Sequence, residues 1–289
     1  MMKISFNTWV YGSFPSWLPT YPLEEVISRL SAMGYDGIEI GCASPHAYPD
    51  YLSTERRKEI LAHLKRNNLS VAAMLPAPGG GPGLNPCSQL REEREFTIKQ
   101  YKDVIQLAHD WECPTVMWLA GWFGFGTSQK DAWNYSLEGL QDVSRYAKEL
   151  GITMVVEPQA ADSNLIESAD DALILAEEAG ESNVKVMFDT FHALYRNEVP
   201  SDYVYRMKEK LHHVHISDDD RLPPGQGSVN FDSLLKALKE IDYQGYLSME
   251  VGFHTRKADP DWYAKTSIDY LKQKLAEIKL NKENKTDHL

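Results

Sequence analysis

Four apolar runs in the second half of the chain each close on a side chain that can bind a cation. Met154-Val155-Val156 ends in Glu157, and Val184-Lys185-Val186-Met187-Phe188 ends in Asp189. Leu211-His212-His213-Val214 leads to His215, and Tyr246-Leu247-Ser248-Met249 leads to Glu250. Three carboxylates and one imidazole form a hard, oxygen-rich donor set. It suits Mn²⁺, Mg²⁺ or Co²⁺ in an open octahedral site better than a closed zinc cage. Taken singly, each carboxylate reads as a helix cap or ion-pair partner, and His215 as a core histidine. Their recurrence at equivalent places on four consecutive strands favours one shared ion. Strand alternation puts His213 and His215 on one face and His212 on the other, with only His215 at the strand end and His213 deeper inside.

Such convergence requires a scaffold that brings strand ends together. Lys3–Thr8 alternates as a strand, and a helix follows from Pro22 to the stop at Gly34. Gly37–Ile40 is a second strand, then comes a helix capped by Thr54, then a strand over Leu69–Leu75. A long helix spans Gln89–Asp110, a fourth strand Thr115–Leu119 and a helix Ala132–Leu150. Ile152–Glu157 precedes a helix opened by a capping-box pair, Ser168 and Asp171. Val184–Asp189, a looser helical stretch over 200–210, Leu211–Ser217, a helix over 231–241, Gly245–Glu250 and a helix over 260–279 complete the series. Eight strand–helix units without a linker imply a parallel sheet closed as a single-domain (β/α)₈ TIM barrel over residues 1–280. Residues 281–289 are expected to form a polar, flexible tail. An open doubly wound sheet is the rival, but it does not use all eight strands symmetrically. In a barrel of this kind, residues at the C-terminal strand ends carry chemistry.

Composition limits the alternatives. The chain has 289 residues, 43% hydrophobic and 25% charged, and a net charge of −12 from 42 acidic and 30 basic residues. That balance lacks the basic stripe of a phosphate-backbone binder, so no nucleic-acid partner is expected. No apolar run reaches the length of a membrane span, and no membrane association is expected. Three widely spaced cysteines, Cys42, Cys87 and Cys113, fit a reducing cytoplasm better than a disulfide framework. The glycines of Pro76-Ala77-Pro78-Gly79-Gly80-Gly81-Pro82-Gly83 lack a phosphate-loop frame and read as a long loop over a site.

The motifs Glu157-Pro158, Asp189-Thr190-Phe191-His192, His215-Ile216-Ser217-Asp218, Arg221-Leu222-Pro223-Pro224-Gly225-Gln226-Gly227 and Glu250 carry a resemblance. The chain resembles the sugar epimerase/isomerase group of the xylose-isomerase-like barrels. That group includes ketose 3-epimerases, fructoselysine 3-epimerase and hydroxypyruvate isomerase. The resemblance covers nearly the whole chain and is strongest after Met154. It implies that Glu157, Asp189, His215 and Glu250 bind Mn²⁺ or a similar ion (Mg²⁺, Co²⁺ or Zn²⁺). It further implies that Glu157 and Glu250 form the acid/base pair, and that His192 and Arg221 contact substrate hydroxyls. A role for His192 as a hydrogen-bond partner behind the metal ligands is the alternative.

Two departures stand out. Many ketose epimerases carry Asn-Arg-Phe-Glu after the fifth strand, where this chain reads Gln159-Ala160-Ala161-Asp162-Ser163-Asn164. Asp162 either replaces that Glu in gripping the sugar or caps a turn. The segment Ser44–Pro49 and the Ser-Asn pair look closer to the fructoselysine branch. Glu39, at the second strand's end, is a further substrate-contact candidate, with structural pairing as the alternative. Trp9, Trp118 and Trp122 lie near strand ends, where an aromatic face can stack on a sugar ring; Trp118 is the nominated one, with plain core packing as the alternative.

The expected activity is epimerisation of a keto-sugar or related α-hydroxyketone, 3-epimerase type. A cation stabilises an enediolate while two glutamates move the proton between opposite faces. Aldose–ketose isomerisation and a lyase or dehydratase acting on a 3-keto-glycoside or keto-polyol are the alternatives. A metal-dependent DNA-repair endonuclease is the remote one, since it needs more rim histidines than His46, His192, His215 and His254. The expected partner is a small carbohydrate, and the expected assembly a homo-oligomer, dimer or tetramer.

Overall fold

The computed structural model of the chain describes residues 2–12, 20–76, 84–252 and 259–286. The glycine-rich stretch 77–83 and His254 lie outside the described residues. Eight strands form one closed parallel barrel in sequence order. They are β1 Lys3–Asn7, β2 Gly37–Cys42, β3 Ser70–Pro76, β4 Thr115–Leu119, β5 Thr153–Glu157, β6 Val184–Asp189, β7 Leu211–Ile216 and β8 Tyr246–Met249. The helices are α1 Leu23–Met33, α2 Thr54–Arg66, α3 Arg91–Asp110, α4 Gln129–Glu149, α5 Ala169–Ala179, α6 Thr190–Tyr195, α7 Pro200–Met207, α8 Phe231–Glu240 and α9 Pro260–Thr286. The expected single-domain (β/α)₈ architecture is therefore the observed one, and α9 continues past position 280, where the tail was expected to begin.

Local chemistry explains the boundaries. In α1, Val26, Ile27 and Leu30 are buried on one face. Gly34 ends the helix at φ 88°, a left-handed conformation that glycine adopts without a Cβ penalty. Ser168 and Asp171 make the expected capping box before α5. Ser53, one residue earlier than expected, caps α2 by accepting from the Arg56 amide at 3.2 Å.

Two elements differ from expectation. The short helix α6 follows β6 directly, because the Asp189 carboxylate caps it by accepting from the Phe191 amide at 2.8 Å. In β7 the register against β6 skips His212, which makes it a bulged residue. Strict alternation is thus broken at its base. His212 Nε2 lies 3.1 Å from Thr115 Oγ1 on β4, three strands away, rather than on the outer face.

The hydrophobic core has two parts. A large layer packs between the strands and the helices. A smaller cluster fills one side of the barrel interior: Ala73 and Leu75 of β3, Met117 and Leu119 of β4, Val155 of β5, Met187 of β6, and Trp9 just past β1. The interior residues of β1, β2, β7 and β8 are polar instead: Ser5, Asn7, Glu39, His213, His215 and Ser248, all buried. The interior is thus apolar on the β3–β6 side and polar on the β7–β2 side.

Candidate active site

Each of the last four strands contributes one side chain at its C-terminal end to a single cluster. One ligand atom from each of Glu157, Asp189, His215 and Glu250 lies within 4.8 Å of the others, and all four residues are buried. Inward-facing positions two residues apart explain the convergence: Val155 then Glu157, Met187 then Asp189, His213 then His215, Ser248 then Glu250. Backbone bonds hold the ends in register, with the Glu250 amide donating to the Ile216 carbonyl at 3.1 Å. Thr190 Oγ1 donates to the Ser217 carbonyl and accepts from the Ser217 amide, both at 2.8 Å, which ties β6 to β7.

Three carboxylates in a dry interior repel one another and lose their hydration. Burial raises the Glu157 carboxyl to about 7 against the pull of His215, with Glu250 and Asp189 pushing in the same direction as burial. Asp189 is driven the other way, to about 2, because Arg221, His192 and His215 overcome its burial. Burial opposes a charge on His215, yet Glu39 and Glu250 outweigh it and raise its pKa well above the ordinary value.

His215 Nδ1 carries the test of whether a metal fits. It is buried and has no hydrogen-bond partner of acceptable geometry. Carboxylate oxygens of Glu250, Glu157 and Asp189 nevertheless stand 3.1, 3.4 and 3.9 Å from it. A ring nitrogen aimed into a nest of carboxylates, which draw a proton onto it, is a place where a divalent cation would replace that proton and satisfy all four groups. The donor set of three oxygens and one nitrogen belongs to a hard ion.

Arg221 closes the cluster from the loop after β7. Its Nη1 donates to Asp189 Oδ2 and, at 2.7 Å, to Glu250 Oε2, while its guanidinium stacks 4.3 Å from the Phe191 ring centroid. Asp220 and Arg221 both have positive φ, 53° and 60°, a conformation costly for non-glycine residues. The buried Asp218 carboxylate holds that turn, accepting from the amides of Asp219, Gly225 and Val229 at 3.1, 2.8 and 3.0 Å. The Gly252 amide donates to the Arg221 carbonyl at 2.8 Å.

His192 lies beside the cluster on α6. Its Nδ1 accepts from the Ala161 amide at 3.3 Å, so the ring proton sits on Nε2. Burial lowers its pKa to about 4, with Asp189 opposing and Arg221 assisting, which makes it a neutral N–H donor at neutral pH. Its Nε2 stands 3.7 Å from Asp162 Oδ2, and Asp162 is exposed beside it.

Two of the expected sugar contacts, Glu39 and Trp118, are engaged with other protein groups. Glu39 is 0% exposed. Its carboxylate accepts from Asn7 Nδ2 at 2.5 Å, His213 Nε2 at 2.7 Å and His215 Nε2 at 2.9 Å, behind the cluster. Trp118 points outward instead of into the barrel: its indole Nε1 donates to Ser136 Oγ of α4 at 3.3 Å, and its ring packs on Tyr101 of α3. Of the other two tryptophans, Trp9 lies in the interior cluster and Trp122 is 41% exposed. A Cβ on Gly41 would come within 2.8 Å of the Trp9 indole, so glycine is what lets that ring lie on β2. His46 is tied up elsewhere, its Nε2 2.8 Å from the Tyr21 carbonyl. Sequence reasoning gave no role to Asn7, whose only signal was a polar residue at the end of an apolar strand, or to Asp218, which entered only as part of a family motif.

A family model described as "Xylose isomerase-like TIM barrel" matches residues 27–274. The chain is 25% identical to a fructoselysine 3-epimerase of Shigella flexneri over 272 residues, 92% of this chain and 98% of the relative. It is 26% identical to a D-psicose 3-epimerase of Enterocloster bolteae over 245 residues, 81% of this chain and 77% of the relative. A solved structure of L-ribulose 3-epimerase superposes with a TM-score of 0.83 at 22% identity, covering 98% of this chain and 97% of that one. At that identity the superposition speaks to the fold.

Proposed function

The chain belongs to the xylose isomerase-like TIM barrel family, and on that premise we propose that it is a divalent-metal-dependent epimerase of a keto-sugar or related α-hydroxyketone. The observation that carries the reading is the buried cluster of Glu157, Asp189, His215 and Glu250 within 4.8 Å. Relatives named as 3-epimerases over most of their length support the 3-epimerase type. Glu157, Asp189, His215 and Glu250 would hold the ion, Mn²⁺ foremost among the hard divalent cations. Once bound, it would supply Lewis-acid stabilisation of negative charge on the sugar oxygens.

Glu157 and Glu250 act in this reading as the acid/base pair. One removes the carbon-bound proton from one face, and the other returns a proton to the opposite face, which inverts the centre. A carboxyl raised to about 7 is suited to exchanging protons near neutrality. His192 donates through Nε2–H to a substrate oxygen without carrying charge. Arg221, held between Asp189 and Glu250, presents its guanidinium to substrate hydroxyls. Asp162 extends the same contact surface. The buried thiols of Cys42, Cys87 and Cys113 suit the cytoplasmic location that goes with this reading.

The test is incubation with a panel of ketoses and 3-keto-glycosides in D₂O with Mn²⁺. The expected outcome is deuterium at one inverted carbon on an unchanged skeleton. Glu157→Gln and Glu250→Gln should each lower kcat by about 10²–10⁴-fold. Release of water or of an aglycone would instead make the enzyme a lyase, and undiminished turnover in both variants would remove the acid/base assignment.

A further inference from the structure

Glu39 is a buried carboxylate with no exposure, and its two oxygens are engaged by three side chains from two strands. Asn7 Nδ2 of β1 donates to Oε1 at 2.5 Å, and His213 Nε2 of β7 lies 2.7 Å from Oε2. His215 Nε2 sits between the two oxygens, at 2.9 and 3.0 Å. A carboxylate in such contacts only accepts, so Nε2 of both imidazoles carries a proton. For His215 this leaves Nδ1, directed at Glu157, Asp189 and Glu250, as the nitrogen whose lone pair a cation would take. The same Asn7 amide that bonds Glu39 also reaches Glu250 Oε1 at 3.3 Å.

We propose that Glu39 is a positioning residue: it fixes the tautomer and ring orientation of His215 and, through Asn7, the carboxylate of Glu250. It thereby pre-sets two of the four groups in the cluster from beneath, without touching substrate. The inference rests on the reading that this cluster holds a divalent cation. Histidine ligands are generally held by an acceptor on their far nitrogen, and removing that acceptor weakens metal binding. Glu39, His213 and His215 also lie close enough to count as a metal-binding group themselves. Their 2.7–3.0 Å separations and Asn7's hold on the same carboxylate describe completed N–H···O bonds instead.

The experiment measures Mn²⁺ binding by calorimetry on the full chain, wild type against Glu39→Gln and Glu39→Asp, with thermal unfolding of the metal-free proteins alongside. Gln offers one acceptor where Glu offers two, so one imidazole must flip. One equivalent of Mn²⁺ is expected for wild type. The Kd should rise about 10–100-fold in Glu39→Gln, Glu39→Asp should fall between the two, and kcat should drop more than KM rises. Wild-type ¹⁵N-histidine spectra with Mg²⁺ bound give a readout that needs no variant: His215 should carry its proton on Nε2. A proton on Nδ1, a Glu39→Gln Kd equal to wild type, or two equivalents of Mn²⁺ per chain would overturn the proposal. A wild-type chain that takes up no divalent ion would overturn it together with the metal reading. Equal Kd values in a metal-binding wild type would overturn the Glu39 role alone.

Discussion

The residues of the cluster do two jobs at once. One oxygen of Asp189 caps α6 and the other meets Arg221, so the same carboxylate sets the start of the helix that carries His192. Arg221 is likewise committed on several sides: to Asp189, to Glu250 and to the Phe191 ring. Lysine keeps the charge but has neither the fork nor the planar face. Arg221→Lys should therefore lower kcat/KM by about 10–100-fold, the loss of roughly one charge-assisted bond and one stacking contact. Steady-state kinetics on the turned-over ketose would check this, and an unchanged kcat/KM would remove Arg221 from the substrate site. The residue types Glu157, Asp189, His215 and Glu250 were legible because charged groups at the ends of apolar strands are rare without a reason. The role of Glu39 was not legible, because a strand-end carboxylate looks the same whether it faces the cavity or the back of an imidazole.

At the level of elements, the strands were readable because each is a short apolar run bounded by turn residues, and two helix ends because Gly34 and the Ser168–Asp171 pair are local signals. What a strand buried on both sides does not reveal is which residues face inward. Thr115–Leu119 is buried throughout, so nothing in its pattern distinguished Trp118 from its neighbours. Closure of the barrel decided the matter and turned Trp118 toward α3 and α4. Trp118→Phe should accordingly cost about 1–3 kcal/mol by leaving space against Gly139 and Ser136, read as a lower urea midpoint, with KM within about twofold of wild type. A large KM change at unchanged stability would restore Trp118 to the sugar-binding surface. The His212 bulge escaped the sequence for the same reason: its extra residue answers the β6 register, not its own neighbours.

For the molecule as a whole, His212 contributes to the acid limb of stability. Burial lowers His212 from 6.5 to about 4, with His213 and Lys185 adding to it. Between those values the unfolded chain binds the proton and the folded chain does not. The stability that neutral His212 contributes is therefore complete above 6.5 and lost as pH falls toward 4. His212→Asn should flatten that limb, and urea midpoints for both proteins between pH 7 and 4.5 would show it; parallel curves would mean His212 does not titrate on unfolding. The division of the barrel interior into a polar side and an apolar side has a different consequence, one that concerns descent. The ion-binding candidates all come from the last four strands, whereas the apolar wall facing them draws heavily on Trp9, β3 and β4. Changes inherited in the first half of the chain reshape the wall and leave the charges where they are. Asn7 and Glu39 are the exceptions, two early positions bound to the fate of the late ones.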